Sequence, residues 1–346
     1  MAVDHAFEKT DEDISTIGRK IEHAFSCAVL CGPRMLPDST FFIAGPTASG
    51  KSALAIALAE HVGGEIVNAD AFQLYAGMDL LTAKPAPADM ARVPHHLYGV
   101  IPLTEACDAQ RYHALALPVI HEIAARGRVP IVVGGSGLYI KALTHGLSPL
   151  PAASPQLRAR FQQLSPGEKI VWLLQRDPEA ATTVNLRNPR YVERALEICL
   201  LSGRPQSGLR RSFEQVEPQV NGAILTWDRE ALYRRINQRT LDMFAAGLVA
   251  EVSAQGPLSP TAEKAIGVRE VRAHLAGQVP LADTIAAIQQ ATRHYAKRQI
   301  TWFRRERCFQ TICLDSVPAA QYALPHLLEL FPCLRPSSPS APSSSI

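Results

Sequence analysis

Residues 40–60 read TFFIAGPTASGKSALAIALAE. The central eight, Gly45-Pro46-Thr47-Ala48-Ser49-Gly50-Lys51-Ser52, fit GxxxxGK[ST] without a gap. Thr40–Ala44 reads as a short buried strand, and Ser52–Glu60 (SALAIALAE) is a strong helix former. A strand running through a glycine-rich turn into a helix is the setting in which this motif wraps an anion. Gly45 and Gly50 permit backbone geometries that let consecutive N–H groups converge, and the helix N-terminus adds a favourable dipole. Lys51 is placed to neutralise terminal phosphate oxygens, and the Ser52 hydroxyl suits a metal ion such as Mg²⁺.

Outward from this loop the chain keeps alternating. Glu65–Ala69 and Val129–Val133 read as further buried strands, Leu115–Arg126 reads as a helix, and residues 84–112 are proline-rich and irregular, like a lid. The alternation predicts a P-loop-type α/β core, a parallel sheet with helices on both faces. From Ala152 the pattern turns mostly helical. Asn188-Pro189 opens a helix running to Leu201, Ala223–Trp227 is a candidate returning strand, and Glu230–Ala246 and Thr284–Arg307 are long helices. The expected organisation is a loose leader (1–38), the P-loop core (39–150), a helical insertion (151–222), the C-terminal part of the core with basic helices (223–315), and a low-complexity tail (336–346).

The 346 residues are 47% apolar and 19% charged, which excludes a disordered or fibrous chain. No apolar run approaches the roughly 18–20 residues that span a bilayer. The acidic N-terminus lacks a basic–apolar–small signal, and the seven cysteines form no CxxC pair. These features predict free thiols, a cytoplasmic location and no membrane partner. Net charge is only +3, but residues 1–40 carry seven acidic and four basic side chains, a net of −3, which leaves +6 on the remainder. That charge gathers in Arg187, Arg190 and Arg194, in Arg229, Arg234, Arg235 and Arg239, and in residues 293–307 (RHYAKRQITWFRRER). On a helix Arg293, Lys297 and Arg304 share one side, and Arg298 and Arg305 a neighbouring one. Basic surfaces interleaved with aromatics, downstream of an anion loop, suit a phosphate-rich partner such as tRNA.

A motor or switch NTPase places an Asp at the end of a neighbouring strand to hold Mg²⁺. Here Val129–Val133 ends in Gly134-Gly135-Ser136, and only Glu65–Ala69 ends in an acid, Asp70. Asp70 suits either a metal or a general base.

These blocks, taken in order, resemble the tRNA dimethylallyltransferases. The matching stretches are GPTASGKS (45–52), Asp70 with YAGMD (75–79) and TAKP (82–85), PHHL (94–97), VGGSGLY (133–139), NPR (188–190) with RALE (194–197), AIG (265–267) and YAKRQITW (295–302). Four positions depart from the family pattern: Ala71 for Ser, Leu81 for Gly, Ser136 for Thr and Val268 for Tyr. The resemblance implies transfer of a dimethylallyl group from dimethylallyl diphosphate to N6 of the adenosine 3′ to the anticodon, with Mg²⁺. It implies Asp70 as general base, with Ser136 hydrogen-bonding the diphosphate or the target nucleotide. Lys51, Arg239 and the loop amides would stabilise the leaving diphosphate. It further implies that the anticodon stem-loop of tRNA meets Asp70, Ala71, Phe72, Gln73, Ser136, Arg158, Arg190, Tyr191, Val192, Glu193, Arg194, Arg293, Lys297, Arg298 and Arg304. His95, His96 and Tyr112 are either aromatic partners of the RNA or packing residues. The chain is expected to act as a monomer. Transfer to free adenine nucleotides and a small-molecule kinase are the competing readings.

Overall fold

The computed structural model describes residues 36–146, 150–151, 154–214, 218 and 220–334. Most of the expected leader, and the whole 336–346 tail, lie outside the described residues. The described chain divides into two compact units, 150–214 on the one hand and 36–146 with 218–334 on the other.

The larger unit opens with β1 (Phe41–Ala44), α1 (Lys51–Val62), β2 (Glu65–Asn68), α2 (Pro87–Met90), β3 (His95–His96), α3 (Ala109–Ala125), β4 (Pro130–Gly134) and α4 (Gly137–Thr144). The smaller unit holds α5 (Pro155–Phe161), α6 (Pro166–Arg176), α7 (Ala180–Thr183), α8 (Pro189–Ser202) and α9 (Gln206–Glu214). The larger unit resumes with β5 (Asn221–Thr226), α10 (Arg229–Ala245), α11 (Leu248–Ser253), α12 (Val268–Leu275), α13 (Leu281–Phe303), β6 (Gln310–Cys313) and α14 (Leu324–Leu330).

The six strands form one sheet in the order β3-β2-β4-β1-β5-β6, with every pairing parallel. β1 is central, with Phe41 opposite Ile131 on one side and Asn221 on the other. Successive side chains point to opposite faces. Phe41, Ile43, Ile131, Val133, Ala223 and Leu225 therefore enter one core, against Leu54 and Leu58 of α1. Phe42, Ala44, Val67, Val132 and Ile224 enter the other, against Tyr112, Ile120 and Ile123 of α3. Burial on both faces is why these strands read as apolar runs without alternation.

One expectation is refined and two need correction. The stretch from residue 84 to Asp108 is mostly irregular, but within it Pro94 is followed by a short edge strand, with His95 and His96 paired to Ile66 and Val67. His96 Nε2 lies 2.7 Å from Glu65 Oε2, and Arg126 reaches the same oxygen at 2.8 Å, which ties the edge to the end of α3. Helix α3 starts at Ala109, six residues before the expected Leu115, because the Asp108 side chain caps it by accepting from Arg111 N. Helix α13 stops at Phe303, so Arg304 is its C-cap and Arg305 and Arg307 lie beyond it.

The chain after residue 315, to which no role was assigned, closes one face of the sheet. Ala320, Ala323, Leu327, Phe331 and Leu334 join the core around α1, and the Phe331 ring meets Phe41 edge-on with centroids 4.9 Å apart. Among the described residues, no helix is long and apolar enough to cross a membrane.

The smaller unit has its own core, built on Phe161, Trp172, Leu173, Val192 and Leu196. Ser165 and Glu168 form a capping box at the start of α6, and Asn188 caps α8.

Leu327 is fully buried. Leu327→Ala is expected to cost about 2–5 kcal/mol of stability, read by denaturant unfolding. A loss below about 0.5 kcal/mol would show that this segment does not complete the core.

Candidate active site

Parallel strands end at one edge of the sheet, and the loops after β1, β2, β4 and β5 all leave there. The loop after β1 is the phosphate motif. Gly45 has φ 146° and Gly50 has φ 88°, values that side-chain-bearing residues rarely adopt. Ala48 is also left-handed, at φ 64°. Side chains hold three of the loop's carbonyls: Lys51 Nζ donates to Pro46 O at 2.7 Å, Arg235 Nε to Ala48 O at 2.9 Å, and Trp227 Nε1 to Ser49 O at 2.9 Å. Arg235 also stacks on the Trp227 ring, 4.7 Å from its centroid. Among the described residues, the N–H groups of Ala48, Gly50, Lys51 and Ser52 find no acceptor. Ser49 Oγ is buried and also without a partner there. Carbonyls tied back, with amides left over at a helix N-terminus, make an anion cradle.

Two cations flank the cradle. Burial pushes the Lys51 ammonium down to about 8, against the pull of Asp70, and Arg239 adds to the depression. Arg239 donates to Thr47 Oγ1 at 2.8 Å. Burial lowers its pKa as well, with Asp70 opposing. A guanidinium nonetheless stays charged at neutral pH.

Asp70 follows β2 and is held by its backbone. The wholly buried Asn68 accepts from Asp70 N at 2.8 Å, and its Nδ2 donates to Asp70 O at 3.2 Å and Leu97 O at 2.9 Å. Phe72 N donates to Asp70 Oδ1 at 3.0 Å. Among the described residues Oδ2 accepts no hydrogen bond, so it is available to a ligand. Ser136, after β4, accepts from Ala71 N at 2.9 Å and so joins the two loops.

Beside these loops opens a cavity of about 430 Å³, lined by Ala71, Phe72, Ser136, Tyr139 and, from α13, Tyr295, Arg298, Gln299 and Trp302. Glycine leaves room here for side chains of α13. A Cβ on Gly135 would strike the Gln299 amide, and one on Gly137 would strike the Trp302 indole. Tyr112 and Tyr139 stack with centroids 4.1 Å apart behind this wall. Burial, and then the charge of Asp70, push the Tyr295 hydroxyl above its ordinary pKa, so it stays protonated.

The fold thus brings together Gly45–Ser52, Asp70, Ala71, Phe72, Ser136, Arg239 and Arg298. It does not bring in all the expected residues. Arg293 turns to α10, where it donates to Asn237 Oδ1 at 2.7 Å and lies over the Tyr233 ring. Gln73 donates to the Thr82 and Ala83 carbonyls, while Lys297 and Arg304 are exposed. Tyr112 is buried, its hydroxyl on Asn68 O, and His95 and His96 belong to the sheet edge, so all three are packing residues.

Arg158 and residues 190–194 belong to the helical unit. Val192 is a core residue, because the apolar stripe of α8 places it inward. Glu193 pairs with Lys169 at 2.7 Å. Arg194 donates to Glu197 Oε2 at 2.7 Å, and Arg158 lies 3.4 Å from its other oxygen, so both answer a buried carboxylate. Arg190 and Tyr191 are exposed. Sequence reasoning missed Asn68, Trp227, Arg235 and Gln299. All four lay within stretches already singled out (Asn68 in the 65–69 strand, Trp227 at the end of the 223–227 strand, Arg235 in a basic segment and Gln299 in the 295–302 block), but nothing in those stretches marked their hydrogen-bond partners.

Fold and site together define a P-loop protein with a carboxylate and an open cavity beside the loop. Residues 73–306 match the model of the IPP transferase family. The tRNA dimethylallyltransferase of Akkermansia muciniphila is 43% identical over 268 residues, 78% of this chain and 91% of that protein. That of Geobacter metallireducens is 44% identical over 274 residues, 76% and 89%. The full-length tRNA isopentenylpyrophosphate transferase of Bacillus halodurans superposes with a TM-score of 0.64 at 32% identity, covering 86% of this chain and 97% of that one. A eukaryotic dimethylallyltransferase acting on tRNA shares the fold, with a TM-score of 0.71 at 24% identity. This chain belongs to the IPP transferase family, a family of prenyl-group transferases.

Lys51 is a cation below about pH 8 and neutral above it. Affinity for an alkyl diphosphate, whose last proton is lost near about pH 6, is therefore expected to hold between about pH 7 and 8 and to fall by up to about tenfold per pH unit above that range. Calorimetric titration across this range tests it. A flat profile would mean that Lys51 does not carry the charge.

Proposed function

We propose that this chain transfers a dimethylallyl group from dimethylallyl diphosphate to N6 of the adenosine 3′ to the anticodon of tRNA, releasing diphosphate. The observation that carries this reading is one carboxylate, Asp70, beside an anion cradle that holds two cations. An adenine N6 amine is a weak nucleophile because its lone pair is delocalised into the ring, so attack must be coupled to loss of its proton. The N–C bond to the allylic carbon forms as the C–O bond to diphosphate breaks, and Asp70 takes the proton. Negative charge then grows on the leaving oxygen, where the loop amides, Lys51 and Arg239 are preorganised to receive it. Ser136, which already orients the Asp70–Ala71 turn, lines the cavity that would take the base. An anticodon-loop adenosine reaches such a cavity by unstacking, at less cost than opening a duplex.

Mg²⁺ fits the donor set. Among the described residues no three metal-ligating side chains cluster, so no dedicated protein cage exists. Among the described residues the Ser52 hydroxyl has no hydrogen-bond partner, which suits an ion held mostly by diphosphate oxygens. Mg²⁺ supplies charge neutralisation of the diphosphate when bound, with Ser52 as its protein ligand. We assign tRNA contacts to the exposed Arg190 and Tyr191 of the helical unit and to Lys297, Arg298 and Arg304 at the end of α13. This reading places the protein in the cytoplasm, with its tRNA substrate, as a monomer.

Incubation with labelled dimethylallyl diphosphate and either unmodified tRNA or AMP tests the reading, with label expected in tRNA alone. Label in neither acceptor, with ATP consumed instead, would favour a kinase. Asp70→Ala is expected to lower transfer by roughly 10²–10⁴-fold while tRNA still binds. Full activity in that variant would remove Asp70 from this role. Arg298→Ala is expected to weaken anticodon stem-loop binding and to flatten its salt dependence by about one counterion. An unchanged salt slope would place Arg298 away from the RNA.

A further inference from the structure

Gln299 lies in the middle of the most basic stretch of the chain, yet it is only 4% exposed. Its neighbours Lys297 and Arg298 are exposed, while its own side chain points inward. Its Oε1 accepts from the backbone N–H of Thr47 in the phosphate loop at 2.8 Å. Its Nε2 donates to Gly135 O, in the loop before Ser136, also at 2.8 Å. The missing side chain of Gly135 is what admits the amide, since a Cβ there would overlap it. One side-chain amide therefore satisfies a donor on the phosphate side and an acceptor on the Ser136 side. Thr47 is engaged a second time, through its hydroxyl, by Arg239.

We propose that Gln299 is a positioning residue for the transfer reaction, fixing the phosphate loop to the Gly135–Ser136 loop so that donor and acceptor are held at a set separation. The proposal rests on the transferase reading above. In this role Gln299 acts through Thr47 and Gly135, to which its side-chain amide is committed. The chemistry explains the residue type. An amide offers an acceptor and a donor on one rigid plane: a carboxylate lacks the donor for Gly135 O, and a lysine lacks the acceptor for Thr47 N–H. A loop already tied in its binding conformation loses less freedom when the diphosphate arrives. Spacing between reacting groups is equally sensitive, since small misplacements sharply reduce rate.

Gln299→Met keeps the bulk and length of the side chain but neither hydrogen bond, and Gln299→Ala removes bulk and bonds together. The full-length protein and both variants are compared for pyrophosphate binding in the presence of Mg²⁺ by calorimetry, for anticodon stem-loop binding, and for steady-state transfer. Both variants are expected to bind pyrophosphate about tenfold or more weakly, within about threefold of one another, with stem-loop affinity held within about threefold. A Met variant that binds pyrophosphate like the unaltered protein, with only the Ala variant impaired, would show that the residue merely fills space and would overturn the proposal. Hydrogen exchange of the Thr47 amide in the unaltered protein gives a readout that needs no variant to fold. Slow exchange both with and without pyrophosphate is expected, and fast exchange in its absence would overturn the proposal. Failure of the unaltered protein to bind pyrophosphate would overturn the transferase reading itself. Binding that is indifferent to Gln299→Met would overturn only the role of Gln299.

Discussion

The site depends on parallel strand pairing. Because all five strand pairs run in one direction, every strand delivers its carboxyl end, and the loop that follows it, to the same edge. The phosphate loop, Asp70, Ser136 and Trp227 come from four different strands and meet for that reason alone. Antiparallel pairing at any of β1, β2 or β4 would send one of these groups to the opposite edge, some four residues of strand away. The apolar faces above and below the sheet, closed by α1 and the 320–334 segment on one side and by α3 on the other, hold that edge rigid.

Electrostatics then makes the cradle specific for an anion. Lys51 and Arg239 are two half-buried cations opposed by the carboxylate of Asp70. Charges removed from water are costly unless paired, and here the pairing is incomplete without a ligand. The depressed Lys51 is the mark of that imbalance. A diphosphate would supply the missing negative charge together with acceptors for the unfilled amides. The loop carbonyls, which would repel it, are already held by Lys51, Arg235 and Trp227.

The basic segments of the sequence turn out to serve different ends. Arg235 and Arg239 build the phosphate loop, Arg293 ties α13 to α10, and Arg158 and Arg194 neutralise the buried Glu197. The exposed remainder is Arg187, Arg190, Arg229, Arg234, Lys297, Arg298, Arg304, Arg305 and Arg307. Charge alone does not show whether a guanidinium faces water, a carbonyl or a carboxylate. The partner decides that, and the partner is distant in sequence.

What was legible in the sequence was what depends on neighbours along the chain. Apolar runs bounded by glycine marked β1, β2 and β4. The GxxxxGK[ST] spacing marked the cradle, and Asp70 stood out as the acid at a strand end. Strand β3 is two residues long and β6 has one buried residue, so neither carries a period long enough to read. Val192 looked like part of a basic patch until the inward face of α8 was known. Asn68 and Gln299 are uncharged side chains whose meaning lies in their hydrogen-bond partners, and for Gln299 the Thr47 amide is 252 residues away. The sequence by itself determined the anion loop, the strand–helix alternation and the chemistry of each side chain, because these follow from local backbone geometry and periodicity. Only the tertiary structure decided which of those side chains share a site, because hydrogen bonds and burial between distant segments exist only once the sheet has brought its loops to one edge.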